Sequence, residues 1–323
     1  MRSESVKTSV LTALAPSGWG TRYLATSELL PPERPLTAAA LRALPAGLML
    51  LAAARRLPTG RWWWRSAVPG ALNIGVFLAL LFVVAYRLPG GAAATIISMQ
   101  PLLVAFLASK LLGERLTARA VVLALLGVAG VALLVLRAGA RLDAIGVATA
   151  LGAAVTMATG VVMSKRWSSK DPVLAMTSWQ LLAGGLLVLP VALLVEGAPP
   201  TLGLDNVAGY GYLAIIGGAA TYALWFRGIR ALPSTQVTFL ALLSPVVATT
   251  LGWIVLGQRL TPMQALGALI VLGSVLSTQA SARARARAAG ANAGGRCPCR
   301  AHTRAAGGGS TRRRKRSPFR THA

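Results

Sequence analysis

The sequence predicts an all-α integral membrane protein in which ten transmembrane helices form two inverted five-helix repeats. Three observations lead to this prediction. The 323 residues are 55% apolar and only 13% charged, whereas soluble domains are about 45–50% apolar and about 25% charged. Ten apolar stretches reach the length of roughly 20 residues that a helix needs to cross a bilayer. One phrase of the sequence also occurs twice, 144 positions apart.

The apolar stretches are expected to be helices, because backbone N–H and C=O groups in hydrocarbon must be satisfied within the segment. Short connectors rich in proline, glycine and charge separate them, as in EGAPPTLGLD at 196–205. Arg2 and Lys7 precede the first stretch, as in a signal peptide, but Pro16 interrupts it and no small-residue cleavage site follows. We interpret it as an uncleaved helix. In chain order the predicted helices are 7–26, 36–54, 66–86, 91–111, 118–137, 143–163, 172–195, 208–228, 234–256 and 262–281.

Basic residues indicate the orientation of these helices. With the N-terminus inside, the cytoplasmic segments before residue 282 hold 14 lysines and arginines, and the outer loops hold 5. Cytoplasmic loops of membrane proteins carry such an excess. We therefore predict a multi-pass protein of the plasma membrane with both termini in the cytoplasm. Trp62, Trp63 and Trp64 lie between Arg61 and Arg65, a pattern typical of an aromatic anchor at the membrane interface.

The C-terminal segment 282–323 differs from the rest of the chain. It holds 12 basic residues and no acidic ones, together with both cysteines and both histidines. We predict a disordered cytoplasmic tail that contacts anionic membrane lipid and binds no specific nucleic acid. Residues 1–281 have no thiol or imidazole, which excludes Cys/His metal sites and Ser-His or Cys-His nucleophile pairs there. No phosphate-binding GxxxxGK[ST] loop occurs, so ATP-driven pumping is unsupported.

The doubled phrase indicates an internal duplication. Without a gap, residues 88–131 match residues 232–275 at 12 of 44 positions, and LRALPAGL at 41–48 loosely matches WQLLAGGL at 179–186. The repeated unit has five helices, an odd number, so its second copy would enter the membrane from the opposite face, as in alternating-access transporters. The predicted domains are therefore a first repeat at 7–137, a second repeat at 143–281 and the tail at 282–323.

Several repeated residues have a predictable local role. Gly113 and its repeat mate Gly257 suit the position just after a helix end, and Thr117 and Thr261 suit the N-cap of the next helix. Pro101 and Pro245 fall within helices, where proline removes a backbone donor and kinks the helix. We expect these kinks to face a cavity between helices, with simple packing as the alternative.

The doubled phrases QPLLVAFLASKLLGERLT (100–117) and SPVVATTLGWIVLGQRLT (244–261), with WGTRYLATSELLP (19–31), resemble the EamA-type members of the drug/metabolite transporter superfamily. The resemblance covers about 7–280. LPPERPLTAAALRALPAGL (30–48), WWWRSAVPGALNIGVF (62–77), TSWQLLAGGLLVLP (177–190) and YALWFRGIRALP (222–233) are most similar to the branch named for exporters of a blue pigment, indigoidine. The resemblance implies ten helices in two inverted five-helix repeats, whereas fold alone does not fix the substrate.

Polar and aromatic side chains inside an apolar bundle are the candidates for substrate contact. Trp19 and Tyr23 lie on one stripe of the first helix with Thr12, Pro16 and Gly20. This stripe is either a wall for a flat ligand or a surface for close helix packing through Gly20. The amides and the residues near the kinks either contact the ligand or join helices by hydrogen bonds. The predicted substrate-binding residues are Trp19, Tyr23, Asn73, Gln100, Pro101, Tyr222, Trp225, Ser244 and Pro245.

Charged residues complete the prediction. Arg22 and Arg42 lie toward the outer ends of the first two helices, where we expect them to snorkel or pair with acids, with an anion-attracting vestibule as the alternative. Gln180, the counterpart of Arg42, is expected to be peripheral. All eight acids lie at or near helix ends, so no carboxylate is predicted at mid-membrane to carry a coupling ion.

The leading functional prediction is a secondary transporter that exports a small metabolite or drug-like solute by alternating access. The alternatives are a non-transporting membrane scaffold or a lipid-binding protein, and an intramembrane enzyme, for which no paired acids or Ser-Lys dyad is evident. We predict no catalytic residues, metal or cofactor. The expected partners are the small-molecule solute, membrane lipid and, as an arrangement left open, a second copy in a homodimer.

Overall fold

The structure is a computed structural model that describes residues 2–31, 34–88, 90–135, 143–168, 171–198, 202–255, 257 and 261–294. Within these ranges the regular secondary structure is entirely helical. The chain divides into two compact units, Met1–Ala282 and Arg283–Ala323. In chain order the helices are α1 Arg2–Leu29, α2 Pro35–Ala54, α3 Trp62–Gly70, a π-helical segment Ala71–Val76, α4 Phe77–Arg87, α5 Gly90–Ile97, α6 Gln100–Leu111, α7 Ala118–Val135, α8 Ala144–Arg166, α9 Val173–Val195, α10 Leu204–Ala214, a second π-helical segment Ile215–Ala220, α11 Thr221–Ala231, α12 Ser234–Ala241, α13 Leu243–Val255 and α14 Pro262–Gly294.

Among the described residues, nine helical stretches are long and apolar enough to cross a membrane, and they coincide with the second to tenth predicted helices. The protein is therefore an all-α membrane protein. α1 is long enough to span, but its serines, threonines and glycines lower its hydropathy, and it is not among the nine. It packs against α10, α11, α12 and α13, which shields this polar helix. The nine stretches are Pro35–Ala54, Trp62–Leu81, Gly91–Leu111, Ala118–Val135, Ala144–Arg166, Val173–Val195, Leu204–Ala231, Ser234–Val255 and Pro262–Ala284.

Both predicted proline kinks coincide with interrupted helices. α5 ends at Ile97 and α6 begins at Gln100, so that Pro101 lies in the first turn of α6. In the second half, α12 ends at Ala241 and α13 begins at Leu243, two residues before Pro245. Proline has no N–H to donate to the carbonyl four residues earlier, which weakens the helix at this point.

The predicted ends of the repeated helices are confirmed. Gly113 and Gly257 adopt φ values of 69° and 62°, the left-handed conformation that favours glycine after a helix end. The Thr117 Oγ1 accepts a hydrogen bond from the Ala120 N–H. Thr261 forms a capping box with Gln264: each side-chain oxygen accepts from the backbone N–H of the other residue.

The two halves share a second irregularity that the sequence pattern did not predict. Each half has a six-residue π-helical segment, at Ala71–Val76 and at Ile215–Ala220. These segments begin 144 positions apart, which is the offset between the doubled phrases. π-helical turns are rare and occur frequently at functional sites. The offset therefore extends the correspondence between the halves to the third and eighth predicted helices.

Close contacts between the halves are reciprocal. A Cβ atom added at Gly184 on α9 would lie 2.5 Å from the Ile74 Cβ, and one added at Gly218 would lie 2.8 Å from the Ala46 Cβ on α2. Gly218 lies 144 positions after Ile74, the offset between the doubled phrases. Gly184 lies 138 positions after Ala46, the offset between LRALPAGL and WQLLAGGL. Each π-helical segment therefore packs against a helix of the other half, at matching positions.

The last helix differs from the prediction. α14 continues to Gly294, whereas the sequence predicted disorder from residue 282. The alanines and arginines after this point have high helix propensities, which outweigh the lack of an apolar period. The rest of the predicted tail, 295–323, lies outside the described residues.

Candidate functional site

Four aromatic side chains form a cluster between α1 and α11. The ring centroid of Trp19 lies 5.4 Å from that of Tyr222 and 5.0 Å from that of Trp225. The Tyr222 and Phe226 rings are stacked, with centroids 6.1 Å apart. All four side chains are buried. The structure thus brings together three predicted site residues, and we refer to Trp19, Tyr222, Trp225 and Phe226 as the aromatic cluster.

Small residues beside Trp19 allow α1 to approach two helices at once. A Cβ atom added at Gly18 would lie 2.7 Å from the Thr221 Cγ2, and one added at Gly20 would lie 2.8 Å from the Ser244 carbonyl oxygen. The Trp19 indole N–H also donates a hydrogen bond of 3.1 Å to the Thr221 Oγ1. Close packing through Gly20 is therefore confirmed, and contact of the stripe with a ligand stays a prediction.

Arg42 lies against the aromatic cluster. Its side chain is only 6% exposed. The Nη2 atom donates a hydrogen bond of 3.4 Å to the Tyr222 hydroxyl, and the guanidinium carbon lies 5.7 Å from the centre of the Tyr222 ring, within cation–π distance. The snorkelling prediction is therefore wrong for Arg42, because its guanidinium extends into the bundle. The structure does not describe the side chains of Arg22 and Tyr23.

A buried polar network surrounds Asn73 in the first π-helical segment. The Asn73 Nδ2 donates a hydrogen bond of 3.2 Å to the Ser164 Oγ, which lies 3.0 Å from the Gln180 Oε1. We call Asn73, Ser164 and Gln180 the amide network. Gln180 is 1% exposed, so its predicted peripheral position is wrong. The Asn73 Oδ1 is buried without a hydrogen-bond partner in the described part of the chain.

The four predicted residues near the helix breaks lie on α6 and α13. Gln100 and Pro101 are buried, whereas Ser244 and Pro245 are half-buried. Like the Asn73 Oδ1, the Gln100 Nε2 is buried and lacks a partner among the described residues. Leaving a buried polar group unpaired costs about 1–3 kcal/mol. Asn73 and Gln100 therefore each have one buried amide atom that is available for a further hydrogen bond.

A small cleft lies beside the aromatic cluster and the amide network. Phe226 of the aromatic cluster lines it together with Ser164 and Gln180 of the amide network. The remaining lining residues are Ser168, Val173, Met176, Ile229 and Arg230. No carboxylate is among them. The cleft therefore combines one aromatic side chain with hydroxyl and amide groups and the guanidinium of Arg230.

The polar side chains of the site can form hydrogen bonds with a bound molecule. Within the described ranges, no three His, Cys, Asp or Glu side chains form a group that could hold a metal ion. The polar side chains here are amides, hydroxyls, indoles and the two guanidinium groups of Arg42 and Arg230.

Sequence reasoning missed Ser164 and Thr221. Both hydroxyls also bond to the carbonyl oxygen four residues earlier on their own helices, Gly160 and Gly217 respectively. Serine and threonine commonly do this in helices, so their sequence positions carried no signal. Gln180 did carry one: it is an amide within an apolar run, as are Asn73 and Gln100.

Comparison with known proteins gives a consistent match. The EamA-like transporter family matches residues 7–136 and 144–278. Protein PecM of Dickeya dadantii (strain 3937) is 42% identical over 267 residues, which cover 82% of this chain and 90% of that protein. The "Probable amino-acid metabolite efflux pump" of Escherichia coli (strain K12) is 25% identical, over 83% of this chain and 93% of that protein.

The same fold has been seen by crystallography. One crystal structure superimposes with a TM-score of 0.75 over 86% of this chain and 98% of the other, at 23% sequence identity. At this identity the match concerns the fold alone.

Proposed function

The chain belongs to the EamA-like transporter family, and from this premise we propose that it exports a small, flat organic solute by alternating access. Its relatives are named as transporters or efflux pumps, so the chain is a multi-pass membrane transporter and not an enzyme. The direction of transport, the solute and the mechanism belong to the proposal.

The proposed architecture has ten spans in two inverted repeats, 7–137 and 143–281, with α1 as the first span. Three features that share one offset support it: the doubled phrases, the interrupted helices near Pro101 and Pro245, and the two π-helical segments. The reciprocal contacts of these segments with α2 and α9 are those expected of units related by a pseudo-two-fold axis. Such an axis lets one face open as the other closes.

The aromatic cluster is the observation that carries the proposal. It joins α1 of the first repeat to α11 of the second repeat. Any rocking of the repeats therefore moves Trp19 relative to the three aromatic rings on α11. Aromatic faces favour flat, apolar bodies through stacking. The unpaired amide atoms of Asn73 and Gln100 would bond to polar edges of such a solute. In this proposal Trp19, Tyr23, Asn73, Gln100, Pro101, Tyr222, Trp225, Ser244 and Pro245 contact or shape the solute pathway.

Charge distribution supports the proposed setting. The excess of basic residues in alternate loops favours an orientation with both termini in the cytoplasm, and we propose that the protein lies in the plasma membrane. The name of the Escherichia coli relative describes efflux, which supports export as the proposed direction of transport. Membrane lipid, and in some assemblies a second copy of the chain, complete the proposed partners.

The test compares metabolites retained by cells that lack the protein with those retained by cells that express it. A solute retained in the deletion strain should be exported again on expression of the wild type. Trp225→Ala should abolish the export, because the removed ring forms one wall of the aromatic cluster. Trp63→Ala is the matched control: the same truncation at a side chain that is 60% exposed should leave export unchanged. If no solute differed between the strains, the protein would be a scaffold or lipid-binding protein, and the proposal would fail.

A further inference from the structure

An ionic junction joins three helix ends of the two proposed repeats. The Lys165 Nζ, at the end of α8, lies 3.1 Å from the Glu114 Oε1, just after α6. The same carboxylate accepts hydrogen bonds from the Ser234 N–H and hydroxyl, at 3.1 Å and 2.9 Å, at the start of α12. Lys165 also donates to the Leu232 carbonyl. One carboxylate and one ammonium thus hold α6, α8 and α12 together.

The junction is more than a surface ion pair. The side chains of Lys165 and Glu114 are 21% and 22% exposed, so both charges are largely shielded from water. Removing one partner of such a pair destabilises the state that contains it, because the other charge is left without compensation. The junction therefore favours the conformation in which these helix ends meet.

The sequence repeat does not reproduce this junction at the equivalent position of the second half. Glu114 belongs to the phrase LGERLT, and its repeat mate is Gln258 in LGQRLT. Glutamine cannot form an ion pair, so the opposite face has no equivalent carboxylate at this position. In the proposed topology, the ends of α6 and α8 and the start of α12 all lie at the cytoplasmic face.

A second contact between the repeats behaves differently. α2 and α9 are joined at one end by Glu196, which accepts hydrogen bonds from the Leu36 and Thr37 N–H groups. At the other end the Arg56–Asp171 ion pair joins them. Contacts therefore bridge both ends of this helix pair, so we place the pivot of the proposed movement here.

We propose that Glu114 and Lys165 are positioning residues for transport: they form a latch that holds the cytoplasmic end of the pathway closed and separates when that end opens. This inference rests on the proposed alternating access. It assigns the opening to the α6–α8–α12 side of the bundle, away from the α2–α9 pair.

The test measures chemical labelling of a buried cysteine from the cytoplasmic face, in inside-out vesicles. Both native cysteines, Cys297 and Cys299, lie in the tail and are first replaced by serine. Thr238→Cys, one turn beyond Ser234 and 0% exposed, reports on opening beside the latch. Ser178→Cys, also 0% exposed, reports on the α2–α9 pair.

We expect Glu114→Gln to raise the labelling rate at position 238 by about tenfold and to leave position 178 unchanged. Lys165→Met should have the same effect, and the double variant should add nothing further, because both single changes break one interaction. Arg56→Gln, which breaks the ion pair of the pivot, is the matched control and should leave position 238 unchanged.

Two results would overturn the latch. One is unchanged labelling at position 238 in both single variants. The other is an equal rise at positions 238 and 178, which would mean that the whole bundle loosens. Neither readout requires a known solute. The two proposals can also be separated. If labelling at position 238 rises as expected but no solute is exported, the proposed function is refuted while the proposed latch is supported.

Discussion

Replacing Asn73 by leucine should separate stability from transport. Asn73 makes one interhelical hydrogen bond, to Ser164, and such bonds in membrane proteins average about 0.6 kcal/mol. Its Oδ1 is buried without a partner among the described residues, which costs about 1–3 kcal/mol. Leucine removes both the hydrogen bond and the unpaired oxygen, and the Ser164 hydroxyl can still donate to the Gly160 carbonyl. We therefore expect Asn73→Leu to stabilise the protein by about 1 kcal/mol while export falls at least tenfold.

The assay pairs thermal unfolding in detergent with export of the solute that the deletion strain retains. Gln236→Leu is the matched control, because Gln236 and Asn73 are equally buried at 4% exposure. The Gln236 side-chain amide donates to Ser9 and Gln279, and the Gln236 backbone carbonyl accepts from the Gln279 side chain. Leucine at this position leaves Gln279 without the amide partner, so this variant should be less stable. If Asn73→Leu lost stability and export in parallel, Asn73 would only join helices, and the ligand argument would be refuted.

The remaining predictions concern packing, helix ends and the tail. Gly184→Val should destabilise the protein by about 2 kcal/mol in thermal unfolding, because its Cβ would lie 2.5 Å from the Ile74 Cβ. Gly211→Val, which meets nothing within 4 Å, is its control, and equal losses would contradict the reciprocal contact. Gly113→Ala should cost about 1 kcal/mol in the same measurement, because φ is 69° there; an unchanged midpoint would refute the helix-end assignment. Deleting 282–323 should leave export intact, and a loss of export would show that the basic tail is needed for transport.

Local rules predicted much of the fold. The helices, their glycine ends and threonine caps, and the interruptions near Pro101 and Pro245 each follow from residue types at fixed spacings. Such features are determined within one or two turns of chain, so a single sequence contains them. α1 was harder to predict as a membrane span, because its polar residues are explained only by the four helices that pack around it.

The site could be predicted only in part. Trp19, Tyr222 and Trp225 were singled out as aromatic residues within apolar runs, but their meeting depends on how α1 packs against α11. Arg42 was expected to snorkel or pair with acids and Gln180 to be peripheral, because the sequence does not show which way a side chain points. Burial of both residues results from contacts between the halves, which no local pattern encodes.

The central claim is that the second five-helix unit crosses the membrane in the opposite sense to the first. Single cysteines at positions 115 and 259, in a chain whose own cysteines are replaced by serine, test it with a membrane-impermeant thiol reagent. We expect the cysteine at position 115 to react only from the cytoplasmic face and the one at position 259 only from the outer face. Reaction of both from the same face would contradict it.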